Sequence, residues 1–281
     1  MIVTVLAENT VAEGGSGLRS EHGLSLHIGL GSESILYDAG ASGLFADNAA
    51  RMGIDLAAVG LAAVSHGHYD HGGGLERFLE LNQRAVAHMH SRAADPHYVK
   101  VLLRKREVGI PPEVFRRHPE RIRFIDGFTE AARDVFLLTD IGRGCPWVKF
   151  NRTLLMGQAG GVLPDSLQHE IVMVVREADG LVVFTGCGHN GVLNMVDTVR
   201  ARFPGTPIKA VLGGFHLAGV PGTNLLAEDD ASVRQIGRAL LDRGITMTCT
   251  GHCTGAKAFR TLKAVMGSAL GSLATGSRIE I

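Results

Sequence analysis

The chain has 281 residues, of which 45% are hydrophobic, and its 28 basic and 28 acidic side chains give a formal net charge of zero. This balance argues against nucleic acid as a partner, because nucleic-acid-binding domains usually carry a basic excess. No signal peptide precedes the first apolar run, no apolar run reaches transmembrane length, and four cysteines in so long a chain do not resemble a disulfide framework. We therefore expect a cytoplasmic protein without a membrane partner, and the length is compatible with one large α/β domain or with two smaller ones.

Short runs rich in Val, Ile and Leu alternate with amphipathic segments along the chain. The runs predict strands at residues 2–6, 24–30, 34–38, 61–65, 84–88, 121–125, 134–139, 170–176, 181–185, 208–212, 246–250 and 278–281. Helical periodicity predicts helices at 43–52, 74–81, 192–202, 229–243 and 256–265. Several strands come in adjacent pairs, which suggests two similar halves. An α/β (α+β) fold of two face-to-face sheets with helices outside would satisfy this order.

Two segments interrupt this alternation. Residues 91–120 are basic, and we interpret them as a solvated helical insertion, with a lid or a surface for an anionic substrate as the alternative. Residues 141–161 are rich in glycine and predict a long loop, a kind of segment that is often functional. Arg143, Lys149 and Arg152 in this loop are candidates for binding an anionic or phosphorylated substrate, and ordinary surface charge is the alternative.

The most informative stretch of the chain follows the strand predicted at 61–65. It holds His66, His68, Asp70 and His71 in close succession. Imidazole nitrogens and carboxylate oxygens are ligands of first-row metals. His66 and His68 are spaced to point to one side, whereas Asp70 and His71 begin the next helix, so the pattern predicts two neighbouring metals. A single structural metal is the alternative, although structural zinc sites are typically rich in cysteine.

Further candidate ligands follow or precede strands in the second half of the chain. They are His169, Cys187, His189, His216 and His252. All of them could converge if the corresponding strand ends lie at one edge of a sheet. A lone histidine at a strand end is often a hydrogen-bonded structural residue. Several glycine-flanked ones, in a chain that also has the His66 cluster, favour a shared site.

The motif His-x-His-x-Asp-His after a strand resembles the signature of the metallo-β-lactamase fold superfamily, and the resemblance extends over nearly the whole chain. It implies a four-layer αββα sandwich that forms a single domain over residues 1–281. It also implies that Asp38, at the end of the strand predicted at 34–38, orients the metal loop, although Asp38 taken alone would be a turn residue. The superfamily histidine that precedes a paired strand matches His169, and the last one matches His252.

The resemblance also implies a ligand set for each of two metals. One metal would be held by His66, His68 and His169, and the other by Asp70, His71 and His252. The superfamily's bridging aspartate is replaced here by Cys187. A thiolate ligand at Cys187, ligation by His189 in its place, and a buried inert Cys187 are the three alternatives. We expect two zinc ions, with manganese or iron as alternatives.

Three further motifs resemble one branch of this superfamily, the 7,8-dihydropterin-6-methyl-4-(β-D-ribofuranosyl)aminobenzene-5′-phosphate synthase-like proteins. They read TGCGHNG at 185–191, GGFHL at 213–217 and GHCTG at 251–255. The branch implies chemistry on pterins and ribosyl phosphates. Thr254 in the last motif predicts a helix cap that presents N–H groups to an anionic substrate, with ordinary capping as the alternative.

The function that these residues favour is metal-dependent hydrolysis of an ester, lactone or phosphodiester bond in a small molecule, with metal-bound hydroxide as the nucleophile. Asp70 would accept the proton that is released, and His216 would polarise the substrate or protonate the leaving group. A condensing synthase of the branch named above is one alternative. A metal-containing binding or sensing protein without turnover is another, and the replacement at Cys187 keeps it open.

Overall fold

The computed structural model describes residues 1–101, 104–219 and 227–281. The strands are β1 (Ile2–Ala7), β2 (Ser25–Leu30), β3 (Glu33–Tyr37), β4 (Leu61–Ala63), β5 (Val86–His90), β6 (His97–Val101), β7 (Arg104–Glu107), β8 (Ile122–Ile125), β9 (Phe128–Ala132), β10 (Val135–Leu138), β11 (Leu154–Gln158), β12 (Gly161–Pro164), β13 (Val172–Glu177), β14 (Gly180–Phe184), β15 (Ile208–Leu212), β16 (Met247–Thr250), β17 (Leu270–Ser272) and β18 (Arg278–Glu280). The α-helices are α1 (Leu44–Arg51), α2 (Tyr69–Gly72), α3 (Leu75–Leu81), α4 (Pro112–Arg117), α5 (Val192–Arg202), α6 (Asp230–Asp242) and α7 (Ala256–Met266). Every strand and helix predicted from the sequence overlaps one of these elements. Among the described residues, no helix combines the length and the apolar character needed to cross a membrane.

The chain divides into two compact units. The first comprises Met1–Asp126, Leu154–His169 and Ala274–Ile281, and the second comprises Gly127–Thr153 and Glu170–Leu273. The prediction that residues 1–281 form a single domain stays a prediction.

The first unit is built on a seven-stranded sheet with the order β18-β1-β2-β3-β4-β5-β8. Strands β3, β4, β5 and β8 run parallel, and parallel neighbours need crossover connections. Helices α1 and α3 lie in two of these connections, and their Phe45 and Phe78 side chains are fully buried in the core of this unit. Asp38 and His66 follow β3 and β4, so they lie near the carboxyl ends of parallel strands, where open α/β sheets bind ligands.

The first unit also contains an antiparallel sheet with the order β12-β11-β6-β7, which corrects two predictions. Residues 91–120 are not a helical insertion, because β6 and β7 form a hairpin there and Pro112–Arg117 is the one α-helix among the described residues of the segment. Residues 102 and 103 lie outside the described residues. The loop predicted over 141–161 is interrupted by β11. The side chains of β7 are charged and exposed, so this strand lacks the alternating apolar pattern by which strands are identified.

The second unit is built on a seven-stranded sheet with the order β17-β16-β15-β14-β13-β10-β9. Strands β14 to β17 run parallel. Helices α5, α6 and α7 connect them and contribute fully buried side chains, such as Val233 and Leu262, to one apolar cluster. Cys187, His216 and His252 follow β14, β15 and β16, so the predicted site residues of this unit also lie near the carboxyl ends of parallel strands.

Candidate metal centre

The loop that follows β4 brings three predicted ligands together. The metal-binding atoms of His66, His68 and Asp70 all lie within 4.8 Å of one another, and the three side chains are buried. The ring centroid of His66 is 4.6 Å from that of His68 and 4.2 Å from that of His71. A close group of imidazoles and a carboxylate has the donor chemistry that zinc and similar cations require.

Asp38 holds this loop from the end of β3. Its Oδ1 accepts the backbone N–H of Ser65 at 2.7 Å, and its Oδ2 accepts the Ser65 hydroxyl at 2.8 Å. The same Oδ2 lies 2.6 Å from Nδ1 of His71, so His71 donates a hydrogen bond there and keeps Nε2 for a metal. Asp38 adopts a φ of 58°, a left-handed conformation that aspartate tolerates better than most residues.

The environment of His68 favours a neutral imidazole. Burial lowers the pKa of His68 well below the usual 6.5, and nearby His169 and His97 lower it further. A metal binds the lone pair of an unprotonated ring nitrogen. His68 is therefore ready to act as a ligand at neutral pH without first releasing a proton.

The backbone between His66 and His68 is fixed by two neighbouring segments. The N–H of Gly67 donates to Nδ1 of His169 at 3.0 Å. The carbonyl oxygen of Gly67 accepts the N–H of Ile110 at 3.1 Å. The N–H of Tyr69 in turn donates to the carbonyl of Val108 at 2.8 Å. The segment after β7 thus runs along the metal loop and is hydrogen-bonded to it, although its sequence predicted a solvated surface.

Sequence reasoning missed two residues of a buried network beside this loop, His97 and Asp165. Oδ2 of Asp165 lies 3.2 Å from Nδ1 of His97 and 3.1 Å from Nε2 of His169, and all three side chains are fully buried. The metal-binding atoms of these three residues and of His68 also lie within 4.8 Å of one another. His97 reaches this position because β6 pairs with β11, and the alternating residues of β6 are the sequence signal that could have indicated this strand.

In the second unit, sulfur and imidazole donors lie together. The metal-binding atoms of Cys187, His216 and Cys253 are within 4.8 Å of one another, and the residues are buried. The thiol of Cys253 donates to the carbonyl of Cys187 at 3.2 Å, and the backbone N–H of His216 donates to Cys253 Sγ at 3.3 Å. His216 and His252 have φ values of 50° and 49°, so tight left-handed turns aim both residues. Cys253 was not among the predicted site residues.

Glu170 fixes the loop that carries Cys187 and His189. Its fully buried carboxyl group accepts the backbone N–H of His189 at 2.7 Å, the backbone N–H of Asn190 at 2.7 Å and the Asn190 side-chain amide at 2.9 Å. Burial raises the pKa of Glu170 to about 8, although these donors act in the opposite direction. The sequence assigned Glu170 only to a strand, because nothing local indicates that its carboxylate faces a distant turn.

The side chain of His189 lies against that of His216, with ring centroids 4.0 Å apart. The carbonyl of His189 accepts the side-chain amide of Asn151 at 2.7 Å. The ring centroid of Phe150 lies 5.5 Å from that of His216, the predicted proton donor. The predicted functional loop over 141–161 therefore supplies residues that pack around His189 and His216.

The three basic residues predicted to bind substrate have different surroundings. Lys149 Nζ lies 3.1 Å from Glu228 Oε2 and 3.0 Å from Asp229 Oδ2, so its charge is paired within the chain. The guanidinium of Arg143 stacks over the ring of Trp147 at 4.2 Å. Arg152 is exposed. A role of these residues in substrate binding stays a prediction.

The predicted helix cap at Thr254 is wrong. Helix α7 begins at Ala256, Gly255 occupies its N-cap position, and no side chain caps it. The hydroxyl of Thr254 instead accepts the N–H of Phe215 at 3.0 Å and lies 2.6 Å from the hydroxyl of Thr250. Thr254 is fully buried and ties the turns after β15 and β16 together, which is a structural role.

The chain belongs to the metallo-β-lactamase superfamily. The family model described as Metallo-beta-lactamase superfamily matches residues 22–252, a span that contains the metal loop and reaches His252.

Similar proteins agree with this assignment. The curated 7,8-dihydropterin-6-methyl-4-(β-D-ribofuranosyl)-aminobenzene-5′-phosphate synthase of Methanocaldococcus jannaschii is 29% identical over 273 residues, which cover 89% of this chain and 87% of that protein. The crystal structure of Tm1679, described as a metal-dependent hydrolase of the β-lactamase superfamily, is 29% identical with a TM-score of 0.81 and covers 100% of this chain and 99% of that one. Zn²⁺-bound PqqB from Methylobacterium extorquens, at 12% identity, a TM-score of 0.60 and 100% coverage of both chains, shares the fold. The predicted α/β fold class and the resemblance to this superfamily and branch are confirmed.

Proposed function

We propose that this protein is a metal-dependent hydrolase with a two-metal centre. The observation that carries the proposal is the buried group of His66, His68 and Asp70, whose donor atoms lie within 4.8 Å of one another. Neutral imidazoles and a carboxylate fit a divalent transition metal. We propose zinc, with manganese or iron as alternatives. The group matches the opening part of the ligand set that the sequence predicts.

Divalent cations in such a centre polarise the scissile group and lower the pKa of the water that they hold. The side chains of the protein orient the metal ligands and move protons to and from the substrate. Asp38 fixes the His71 ring through Nδ1, which leaves Nε2 for a metal. We propose that Asp70 takes up the proton released during attack and that His216 protonates the leaving group.

The rest of the ligand set stays a prediction taken from the sequence. It comprises His71, His169, His252 and either Cys187 or His189. Single alanine variants, each analysed for bound metal after purification, test these residues one by one. A true ligand is identified by metal loss that persists when metal is added in excess.

The proposed substrates are small molecules, anionic or phosphorylated, with an ester, lactone or phosphodiester bond, and the proposed location is the cytoplasm. The test is turnover of generic nitrophenyl esters, nitrophenyl phosphodiesters, lactones and thioesters by the zinc- and manganese-loaded protein. His68→Ala serves as the control for contaminating activity. We expect at least one class to be cleaved by the wild-type protein and not by the variant. Two bound metals with no cleavage in any class would contradict the proposal.

A condensing synthase is the second candidate. It is supported by the Methanocaldococcus jannaschii protein, which is 29% identical and is named as a synthase. The metals would then act as Lewis acids in a condensation rather than in hydrolysis. Formation of the compound in that protein's name, from its pterin and ribofuranosylaminobenzene phosphate parts, distinguishes the two candidates. A protein that holds metal and catalyses neither reaction would instead be a binding or sensing protein.

A further inference from the structure

His169 lies in a buried network that contacts the metal loop. Its side chain is fully buried. Nδ1 accepts the N–H of Gly67 at 3.0 Å, and Nε2 lies 3.1 Å from Oδ2 of Asp165. Both ring nitrogens are therefore engaged within the first unit.

The direction of these hydrogen bonds fixes which ring nitrogen of His169 carries the proton. A backbone N–H can only donate, so Nδ1 of His169 must offer its lone pair to Gly67. A neutral imidazole has one such nitrogen and carries its proton on the other. That proton lies on Nε2 and points to the Asp165 carboxylate. Ligation at either nitrogen would require this ring to give up one of its two bonds or to become an anion.

Asp165 is itself held in place. Its Oδ1 accepts the N–H of Leu167 at 2.7 Å, and its Oδ2 also faces Nδ1 of His97 at 3.2 Å. Nε2 of His97 lies 3.1 Å from the carbonyl oxygen of Arg92, which is another acceptor. His97 therefore faces a hydrogen-bond acceptor on each side of its ring, and its Nδ1 contact helps to hold the Asp165 carboxylate in place.

Charge and burial agree with a neutral His169. Burial and the neighbouring His97 together lower the pKa of His169 to about 4, against the opposing effect of Asp165. The same two histidines hold the pKa of Asp165 well below its usual range despite the burial that raises it. The three side chains thus form a chain of donors and acceptors that ends at the amide of Gly67.

Gly67 lies between two predicted ligands, His66 and His68. Its N–H is bound by His169 and its carbonyl by the N–H of Ile110. Because both backbone groups are bound, the peptide planes on either side of Gly67 have little freedom, and these planes set the directions of the two flanking imidazoles.

We propose that His169 is a positioning residue and not a metal ligand: it binds the Gly67 amide and so aims His66 and His68 at the metal. This inference rests on the proposed metal centre at His66 and His68, and it replaces the predicted ligand role of His169. Asp165 and His97 act through it by fixing its tautomer.

The test compares His169→Asn with His169→Ala. Asparagine places an amide oxygen near the position of Nδ1, so it can accept the Gly67 N–H, yet it is a poor zinc ligand. We expect His169→Asn to bind as many metal ions per chain as the wild-type protein. We expect His169→Ala to bind metal about 10–100-fold more weakly but to reach the same stoichiometry in excess zinc. Loss of one metal per chain from both variants, even in excess zinc, would overturn the inference.

A second measurement does not depend on whether the variants fold. The ¹⁵N spectrum of the histidine rings in wild-type protein reports which nitrogen carries the proton. We expect His169 to carry it on Nε2 without metal and to keep the same ¹⁵N shifts after zinc is added. A zinc-induced shift of a His169 nitrogen would identify it as a ligand and overturn the inference. Wild-type protein that binds no zinc would instead overturn the proposed function, while the tautomer of His169 would still test its bond to Gly67.

Discussion

Nδ1 of His71 lies 2.6 Å from Oδ2 of Asp38, and both side chains are completely inaccessible to solvent. Asp38 directly follows β3, one parallel strand of the first unit, and His71 lies in the helix α2 that follows the neighbouring strand β4. The contact therefore ties two neighbouring crossovers together. It also fixes which nitrogen of His71 faces away from the carboxylate.

Substitution of Asp38 by asparagine tests this contact. The amide retains one oxygen, which cannot accept from Ser65 and His71 as the two carboxylate oxygens do. We expect the affinity for zinc to fall about 10–100-fold, because the partner that orients a ligand imidazole is lost. Competition with a chromophoric chelator measures this change. Asp47→Asn is the matched control, since Asp47 is an exposed carboxylate paired with Arg19, and equal affinities of the two variants would contradict the role of Asp38.

Gly67→Ala tests how tightly the metal loop is packed. A Cβ at this position would lie 2.4 Å from Nε2 of His97 and 2.8 Å from the carbonyl oxygen of Ala93. Since the buried ring or the backbone must move, we expect the free energy of unfolding to fall by about 1–3 kcal/mol. Urea unfolding of the metal-free protein measures it. Gly29→Ala is the control, because its Cβ would meet nothing closer than 3.7 Å, and an equal effect of both substitutions would show that the loop is not tightly packed.

Glu170 predicts a pH-dependent stability. Its pKa is raised by burial to about 8 from 4.5, so between these values the unfolded chain has released a proton that the folded chain retains. The contribution of Glu170 to the free energy of unfolding is fully present below pH 4.5. It is lost as the pH rises towards 8, with a slope of about 1.4 kcal/mol per pH unit.

Glu170→Gln removes this titration. We expect the free energy of unfolding of the wild-type protein to fall relative to that of Glu170→Gln as the pH rises from 5 to about 8. Glu177→Gln, which alters a carboxylate paired with Lys209, is the control. Parallel pH profiles for wild-type protein and Glu170→Gln would mean that Glu170 is ionised in the folded state throughout this range.

Much of the fold and of the metal loop could be predicted because the signals are local. The His66–His71 motif, the apolar run of β4 before it and the glycines after it are all contiguous in the sequence. The strands and helices of both seven-stranded sheets carry clear apolar patterns. Asp38 differs, because taken alone it would be a turn residue, and its role is implied by the resemblance to the superfamily.

The network of His97, Asp165 and His169 could not be predicted because it depends on pairing between distant segments. The hairpin of β6 and β7 reaches the metal loop only through its pairing with β11. The charged residues of β7 indicated a solvated helix, and nothing local distinguishes Asp165 from a turn residue. Thr254 shows the same limit, since its hydroxyl accepts the N–H of Phe215, which follows a different strand 39 residues away.

His216→Asn tests the proposed proton donor once a substrate is known. We expect metal content to remain at the wild-type level and kcat to fall about 100-fold or more with little change in KM, because a general acid acts on the leaving group. Steady-state kinetics and metal analysis of the same preparation measure both quantities. His118→Asn, a change outside the site, is the control. Metal loss in His216→Asn would assign this residue to the ligands instead.

The central claim is that the His66–His71 loop binds metal, and the metal content of His68→Ala tests it most directly. Wild-type protein and His68→Ala, purified alike and dialysed against excess zinc, are compared by mass spectrometric metal analysis, with His118→Ala as a folded control. We predict two zinc ions per wild-type chain and per His118→Ala chain, and the loss of at least one from His68→Ala. The same zinc content in all three proteins would contradict the account.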